Sequence, residues 1–254
     1  VVDVSVQDRE RECEFEDNPT SATTKPSHPS ESRVFRSTMS APDFDGVARA
    51  YQWMEYLSLG TMLERARFWA LDAGWSDECR RALVLGDGDG RFTARLMGRN
   101  AAVRVHAVDL SGEMLRLLER RCRTFQARLS TTCADAREFS TKDGADLVVT
   151  HFFLDCLEQE EVSALVRKVS AGLAPGATWV VSEFSVPRGW LRVPAWLIVR
   201  GLYFAFRVLT DLRVTRLPDF ALELRGCGFG VVAEKRFLGG LLVSQVWMSM
   251  GPAS

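Results

Sequence analysis

Lysine is nearly absent from this chain: four residues carry it, and every other basic side chain is arginine. Basic and acidic residues almost cancel, 32 against 33, for a formal net charge of −1. There is no global positive field to hold a nucleic-acid backbone, so nucleic acid is not an expected partner. Histidine is scarce too, with only His28, His106 and His151. The six cysteines (Cys13, Cys79, Cys122, Cys133, Cys156 and Cys227) form no C-x-x-C pair, and none has a histidine at metal-ligand spacing. The pattern argues against a metal site and reads as reduced thiols of a cytoplasmic protein. No apolar run reaches the roughly 20 residues of a membrane span. The opening residues lack a basic stretch followed by an apolar one, so no secretory signal is expected.

What is present is ordinary globular material, 46% hydrophobic and 26% charged over 254 residues, enough to bury a core. Residues 1–40 stand apart. They are rich in Ser, Thr, Pro, Glu and Asp, with few large apolar side chains after Phe15. Such a segment buries too little surface to offset its ordering entropy and is expected to be a disordered tail. Residues 41–254 are expected to be one folded domain. Asp43 is placed to cap a helix through Tyr51 and Leu57, and a second helix is expected from Met62 to Ala73, closed by Gly74.

From Ala82 the chain alternates strand and helix. Ala82-Leu83-Val84-Leu85 is a short apolar run of the kind buried in a parallel sheet. Helix is expected over Phe92–Met97, and a second strand over Val103–Val108, ending at Asp109. Ser111 can cap a helix that puts Met114, Leu115, Leu118 and Cys122 on one face. Leu129–Cys133, Ala145–Thr150 and Thr178–Phe184 read as three more strands, with a helix over Glu160–Leu173 and a turn at Pro175-Gly176. Helix is expected again over Asp219–Cys227, and Phe229–Met248 reads as an antiparallel hairpin turning at Gly239-Gly240. The order predicts an α/β fold: a Rossmann-like three-layer sandwich around a mostly parallel seven-stranded sheet that ends in an antiparallel β-hairpin.

The first strand runs straight into Gly86-Asp87-Gly88-Asp89-Gly90, and a helix follows. Glycines permit a sharp turn and leave no Cβ between backbone and ligand. The helix N-terminus offers unpaired N–H groups. Asp109 ends the next strand 19 residues beyond Gly90, close to the spacing of about 20 at which an acid accepts hydrogen bonds from ribose hydroxyls. A nicotinamide dinucleotide is the competing ligand. Its fingerprint, G-x-G-x-x-G, needs glycine where this chain has Arg91. Asp87 and Asp89 would repel a pyrophosphate and suit a ligand bearing a cationic amine or sulfonium.

The stretch from about Asp43 to Met250 resembles the class I S-adenosylmethionine-dependent methyltransferases, especially the small-molecule group related to quinone-biosynthesis enzymes. The resemblance is carried by Leu83–Phe92, Val108-Asp109-Leu110-Ser111, Asp135-Ala136, Asp146–Phe152, Pro175-Gly176 and Gly228-Phe229, in that order. It implies S-adenosyl-L-methionine as cofactor. The glycine loop would hold it at Gly86, Asp87, Gly88 and Gly90, and Asp109 would take the ribose. Asp135 and Ala136 would contact the adenine, and Leu110, Met114, Thr150 and His151 are further cofactor-binding positions. The family often has an acid two residues before the first glycine. This chain has Val84 there, so Asp87 or Asp89 is the candidate partner of the methionine amine.

Tyr51 sits in a segment similar to the N-terminal helix that closes over the cofactor in relatives; it can also be a core tyrosine. His151, at the end of the fourth strand, is the one good candidate for a general base, and it can equally touch the cofactor through its backbone alone. Residues 190–209 are apolar and arginine-studded, with Pro194 in a first turn and Arg200, Tyr203 and Arg207 on one face. They read as part of an insertion over about 186–216: a lid on an apolar substrate, a peripheral membrane or dimer contact, or core packing. The expected activity is O- or C-methylation of a small apolar or aromatic molecule. A non-catalytic or membrane-associated cofactor-binding protein and a nicotinamide-dependent enzyme are the rivals.

Overall fold

A computed structural model of the protein describes residues 60–139, 144–187 and 217–250. The expected tail 1–40, the helix bearing Tyr51 and the segment 188–216 lie outside the described residues. Seven strands form one sheet: β1 (Arg81–Leu85), β2 (Arg104–Asp109), β3 (Leu129–Cys133), β4 (Ala145–His151), β5 (Leu173–Phe184), β6 (Phe229–Phe237) and β7 (Leu242–Ser249). Their order is β3-β2-β1-β4-β5-β7-β6. All neighbours are parallel except β7, which runs antiparallel to β5 and to β6. The chain leaves β1 on one side and returns as β4 on the other, so the carboxyl ends of β1 and β4 flank the switch point where open sheets of this kind bind ligands.

The sheet is buried on both faces, which explains why its central strands read as continuous apolar runs. On one face Leu83, Leu85, Val148, Trp179 and Val181 pack against Val162, Leu165, Val166 and Val169 of α4 (Gln159–Ser170) and Leu224 of α5 (Phe220–Gly226). On the other, Ala82, Val84, Leu147, Val149 and Val180 meet Ala70 and Leu71 of α1 (Gly60–Asp72) and Phe92, Leu96 and Met97 of α2 (Arg91–Arg99). The alternation of strand side chains assigns each residue its face. The Ser182 and Ser244 hydroxyls both donate to the Ala66 carbonyl, at 3.1 and 2.6 Å, and pin α1 across β5 and β7.

The helix ends follow the expected capping chemistry. Gly74 is left-handed (φ 86°), and the pair Gly74 N–H to Leu71 O and Trp75 N–H to Ala70 O closes α1 as a Schellman motif. Ser111 Oγ accepts from Met114 N–H to start α3 (Gly112–Arg121). Two boundaries differ from expectation. The helix α4 stops at Ser170, and the chain enters β5 at Leu173. Pro175-Gly176 is therefore not a turn ahead of the strand but an irregularity within it. Ala145 pairs with Leu173 and Leu147 with Thr178, so the extra residues bulge out where proline has no N–H to give the ladder. The terminal hairpin is present, its corner widened to Leu238–Gly240. Among the described residues no helix is long and apolar enough to cross a membrane.

Asn100, which follows α2, is the polar knot of this half. Its buried amide donates to the carbonyls of Ser76, Asp77 and Cys79, and its Oδ1 accepts from Ala102 and Val103 N–H. No apolar side chain can satisfy both sets. Asn100→Ala is expected to destabilise the fold by about 2–4 kcal/mol in urea denaturation, because several buried backbone groups lose their partners together. A cost under about 1 kcal/mol would show that water replaces the amide.

Candidate functional site

The glycine loop begins where β1 ends. Gly86 N–H donates to Val108 O at 2.9 Å, tying the loop to β2. Gly86, Gly88 and Gly90 all have positive φ (67°, 63° and 78°), a conformation closed to most L residues. The space around them differs. A Cβ on Gly86 would lie 2.4 Å from the Phe153 ring, and one on Gly90 would lie 2.8 Å from the Cα of Leu118 in α3. Around Gly88 the nearest atom is Met114 Sδ at 4.0 Å. Two glycines thus admit neighbouring protein that a Cβ would strike, and among the described residues the middle one has only the ordinary contact with Met114.

The loop acids are occupied in ways the sequence does not announce. Asp87 turns inward, and its Oδ2 accepts from Thr93 N–H at 2.9 Å, capping α2 in place of Gly90, which has no side chain to do so. Asp89 is bound by Arg91 Nε at 3.0 Å and by Arg121 Nη2 at 2.7 Å. Arg121 Nε also holds the Asp89 carbonyl. Asp89 therefore folds the loop against α3, and the expectation that it meets a ligand amine is not met by its geometry.

Asp109 stands where expected, at the end of β2. Its Oδ1 accepts from Ser111 N–H at 2.9 Å and its Oδ2 from Gly88 N–H at a long 3.3 Å. Burial pushes its carboxyl pKa up, and these backbone donors pull against that. The next residue, Leu110, is 41% exposed, an apolar side chain held open at the strand end. Asp135 and Ala136 follow β3, whose end is tied to Asp109 by Ala134 N–H to Asp109 O at 3.1 Å. Ala136 is buried. The Asp135 carboxylate is gripped by Arg137, which lowers its pKa and also pairs with Glu161.

At the end of β4 the two predicted residues point to opposite faces. Thr150 is fully buried, its Oγ1 accepting from Trp179 Nε1 at 3.1 Å. His151 lies on the α1–α2 face, its ring edge-on to Phe92 at 4.6 Å between centroids. Burial, with the nearby Arg67 charge, holds its pKa well below the usual histidine range. A neutral imidazole sealed from solvent is poorly placed to take a proton from an acceptor. Tyr51 lies outside the described residues.

The site's residues come together at the carboxyl edge of a sheet with a known architecture. Residues 82–176 match the family model described as a methyltransferase domain. Over these residues, under half of the chain, it is similar to that domain. Over 98 residues the chain is 33% identical to carboxy-S-adenosyl-L-methionine synthase of Glaesserella parasuis serovar 5 (strain SH0165), covering 38% of this chain and 40% of that protein. Among solved structures it is similar to an O-methyltransferase family protein from Burkholderia thailandensis: TM-score 0.61, 16% identity, 81% of this chain and 60% of that one. It is also similar to the N-methyltransferase NodS from Bradyrhizobium japonicum WM9 in complex with S-adenosyl-L-homocysteine: TM-score 0.52, 17% identity, 75% and 85% covered. At these identities the structural likeness is one of fold. The chain spans less than half the length of the curated relative it matches.

Around the site lie two further groups that motif reading passed over. Glu183, buried at the end of β5, accepts from Phe153 and Leu154 N–H at 3.1 and 2.8 Å. Its carboxyl is paired with that of Asp155, and burial pushes Glu183 well above the usual range and Asp155 up to about 6. The available signal was one acid inside the apolar run Trp179–Phe184. Arg67, buried in α1, places its guanidinium 6.0 Å from the Phe152 ring.

Two predictions follow from this geometry. Gly90→Ala should cost at least about 3 kcal/mol and Gly88→Ala only about 1–2 kcal/mol in denaturant melts, since both are strained but only Gly90 abuts backbone; equal costs would contradict the packing. For Asp155, the folded chain holds a proton between about pH 4 and 6 that the unfolded chain has lost, so this group's contribution to stability falls as pH rises through that window. Asp155→Asn, which mimics the protonated form, should match wild type near pH 4 and exceed it at pH 7 by on the order of 2–3 kcal/mol. A wild-type advantage at pH 7 in chemical denaturation would refute the assignment.

Proposed function

We propose that the protein is an S-adenosyl-L-methionine-dependent methyltransferase acting on a small, apolar or aromatic acceptor through oxygen or carbon. The observation that carries this reading is Asp109: an acid at the carboxyl end of β2, in hydrogen-bond reach of the middle glycine of the loop. The residues present fit the cofactor. Gly88 carries no Cβ, and one placed there would meet only Met114 Sδ, at 4.0 Å, among the described residues; Leu110 offers an exposed apolar side chain beside the acid. Asp109 would accept the ribose hydroxyls in place of its long contact with Gly88, while Leu110, Met114 and Ala136 would flank the adenine. The fold-level likeness to O- and N-methyltransferases supports the reaction class.

When bound, the cofactor supplies a methyl group already activated on a sulfonium. The chain's task is then alignment and exclusion of water rather than strong acid–base chemistry. Phe153, packed on Gly86, seals one side of the loop. Residues 186–216 are assigned to the acceptor side on their apolar sequence, as a lid; contact with a membrane surface or a second copy through 190–209 is the other use such a segment serves.

Calorimetry with S-adenosylmethionine, S-adenosylhomocysteine and a nicotinamide dinucleotide tests the reading. The first two should bind and the third should not. Asp109→Ala should weaken S-adenosylhomocysteine about 10- to 100-fold, the scale of charged hydrogen bonds lost from a buried site. Binding of the dinucleotide alone would overturn the proposal. Incubating an extract of small apolar metabolites with methyl-labelled cofactor then identifies the acceptor from its gain in mass.

A further inference from the structure

At the exit of β4 lies a pair of acids that packing does not require. Glu183 and Asp155 are both buried, and Glu183 shares with Trp179 and Val181 the sheet face covered by α4 and α5. Glu183 Oε1 accepts from Phe153 and Leu154 N–H, and its Oε2 meets the Asp155 carboxyl with no other hydrogen-bond partner among the described residues. A glutamine would satisfy the same two N–H groups without burying an acid. Two carboxyl groups so placed in an apolar setting are tolerable while a proton lies between them. Burial and the partner acid push Glu183 well above the usual carboxylate range, so it keeps that proton, and Asp155, pushed up to about 6, ionises first. Cys156 lies beside Asp155, its thiol donating to Oδ1 at 3.5 Å; desolvation and the two acids keep that thiol protonated. The helices α4 and α5 meet this face through Val162, Leu165, Val166 and Leu224, and β7 pairs Val243 with Glu183. Of their acids, Glu161 is engaged by Arg137 and Glu223 by Gln159.

The pair is tied to the glycine loop through the chain it holds. Phe153, whose N–H Glu183 accepts, packs so closely on Gly86 that a Cβ there would lie 2.4 Å from its ring. Phe152, one residue earlier, is in the left-handed region at φ 54°, a conformation the rest of the turn must maintain. Loss of the last proton would set two carboxylates against each other at the point that fixes Phe153. We propose that Glu183 and Asp155 are positioning residues: the proton they share keeps Phe153 on Gly86 and the glycine loop in the shape that takes the cofactor, and release of that proton to water frees the turn. The inference rests on the cofactor reading above and adds a proton-linked control to it. The held turn raises the proton affinity of Glu183 above its value in a turn open to water. Its contribution to the held state is therefore complete at and below the usual carboxylate range and is lost as pH rises through the raised value.

Two readouts test this between about pH 6 and pH 9. One is calorimetry with S-adenosylhomocysteine and with methylthioadenosine, which lacks the amino-acid end and so brings no amine that titrates. The other is amide hydrogen exchange of the ligand-free protein at Phe153 and Leu154, with Val148 at the centre of β4 as the reference for the whole fold. In wild type both ligands should weaken at least about tenfold as pH rises, and the two amides should lose protection over the same interval while Val148 keeps it. Glu183→Gln keeps an acceptor for both N–H groups and cannot ionise, so methylthioadenosine affinity and amide protection should lose their pH slope. Asp155→Asn removes the like charge beside Glu183 and should move the midpoint of both profiles down by about one pH unit or more, a shift that a merely structural role would not produce. If Glu183→Gln does not fold, that midpoint decides. The proposal is overturned if Glu183→Gln keeps the wild-type slope, or if Asp155→Asn leaves the midpoint where it was. Binding by wild type with no pH slope also overturns it and leaves the cofactor reading intact. If neither ligand binds at any pH but the two amides lose protection as expected, the cofactor reading falls and the proton-held turn stands without it.

Discussion

The close approach of protein to the backbone of the glycine loop is the constraint on which the site depends. Phe153, leaving β4, presses on Gly86, and Leu118 of α3 presses on Gly90. Both contacts require a missing Cβ and a left-handed backbone in the same residue. Together they fix the loop at its two ends, one from each side of β1, while a Cβ at its centre, Gly88, would meet Met114 Sδ at 4.0 Å among the described residues. The loop is therefore held by tight packing at its flanks.

Charge is arranged to hold this geometry. A loop with two aspartates would repel itself if both were left unmatched in a buried setting. Asp89 is matched by arginines from α2 and α3, so the same ion pairs that neutralise it also bind the loop to both helices. Asp87 is stabilised instead by the N-terminal amide of Thr93 and by the Arg67 charge. The arginine-rich, lysine-poor composition suits this use, because a guanidinium can bind a carboxylate and a carbonyl at once, as Arg121 does with Asp89.

Much of the fold was legible because its signals are local. The apolar runs at Ala82–Leu85 and Leu147–Val149, the glycine loop, Asp109 and the Ser111 cap each declare themselves within a few residues. The end of α4 and the start of β5 were less legible because Pro175-Gly176 ordinarily signals a turn, whereas β5 here bulges at that point. The side-chain roles in the site were less legible for a different reason. Asp87 and Asp89 look like ligand groups by position, and only their inward orientation and the distant Arg121 reveal the structural part they play. Arg67 and Glu183 gave no motif at all, since each matters through residues far along the chain. Burial direction, not residue type, decided what His151 can do.

Glu183 shows how the two halves of the site are linked. Its carboxyl group accepts from the N–H groups of Phe153 and Leu154 just after β4, and the same segment carries Asp155. The first residue so held, Phe153, is the one packed on Gly86. The exit from β4 is itself strained, with Phe152 in the left-handed region at φ 54°. A buried acid thus holds a strained turn, and the strained turn shapes the glycine loop. Removing both protons from the Asp155–Glu183 pair would place two like charges in a low-dielectric setting directly behind Phe153. The electrostatic state of that pair and the shape of the loop are therefore parts of one mechanical unit, although the residues that compose it are spread over three strands.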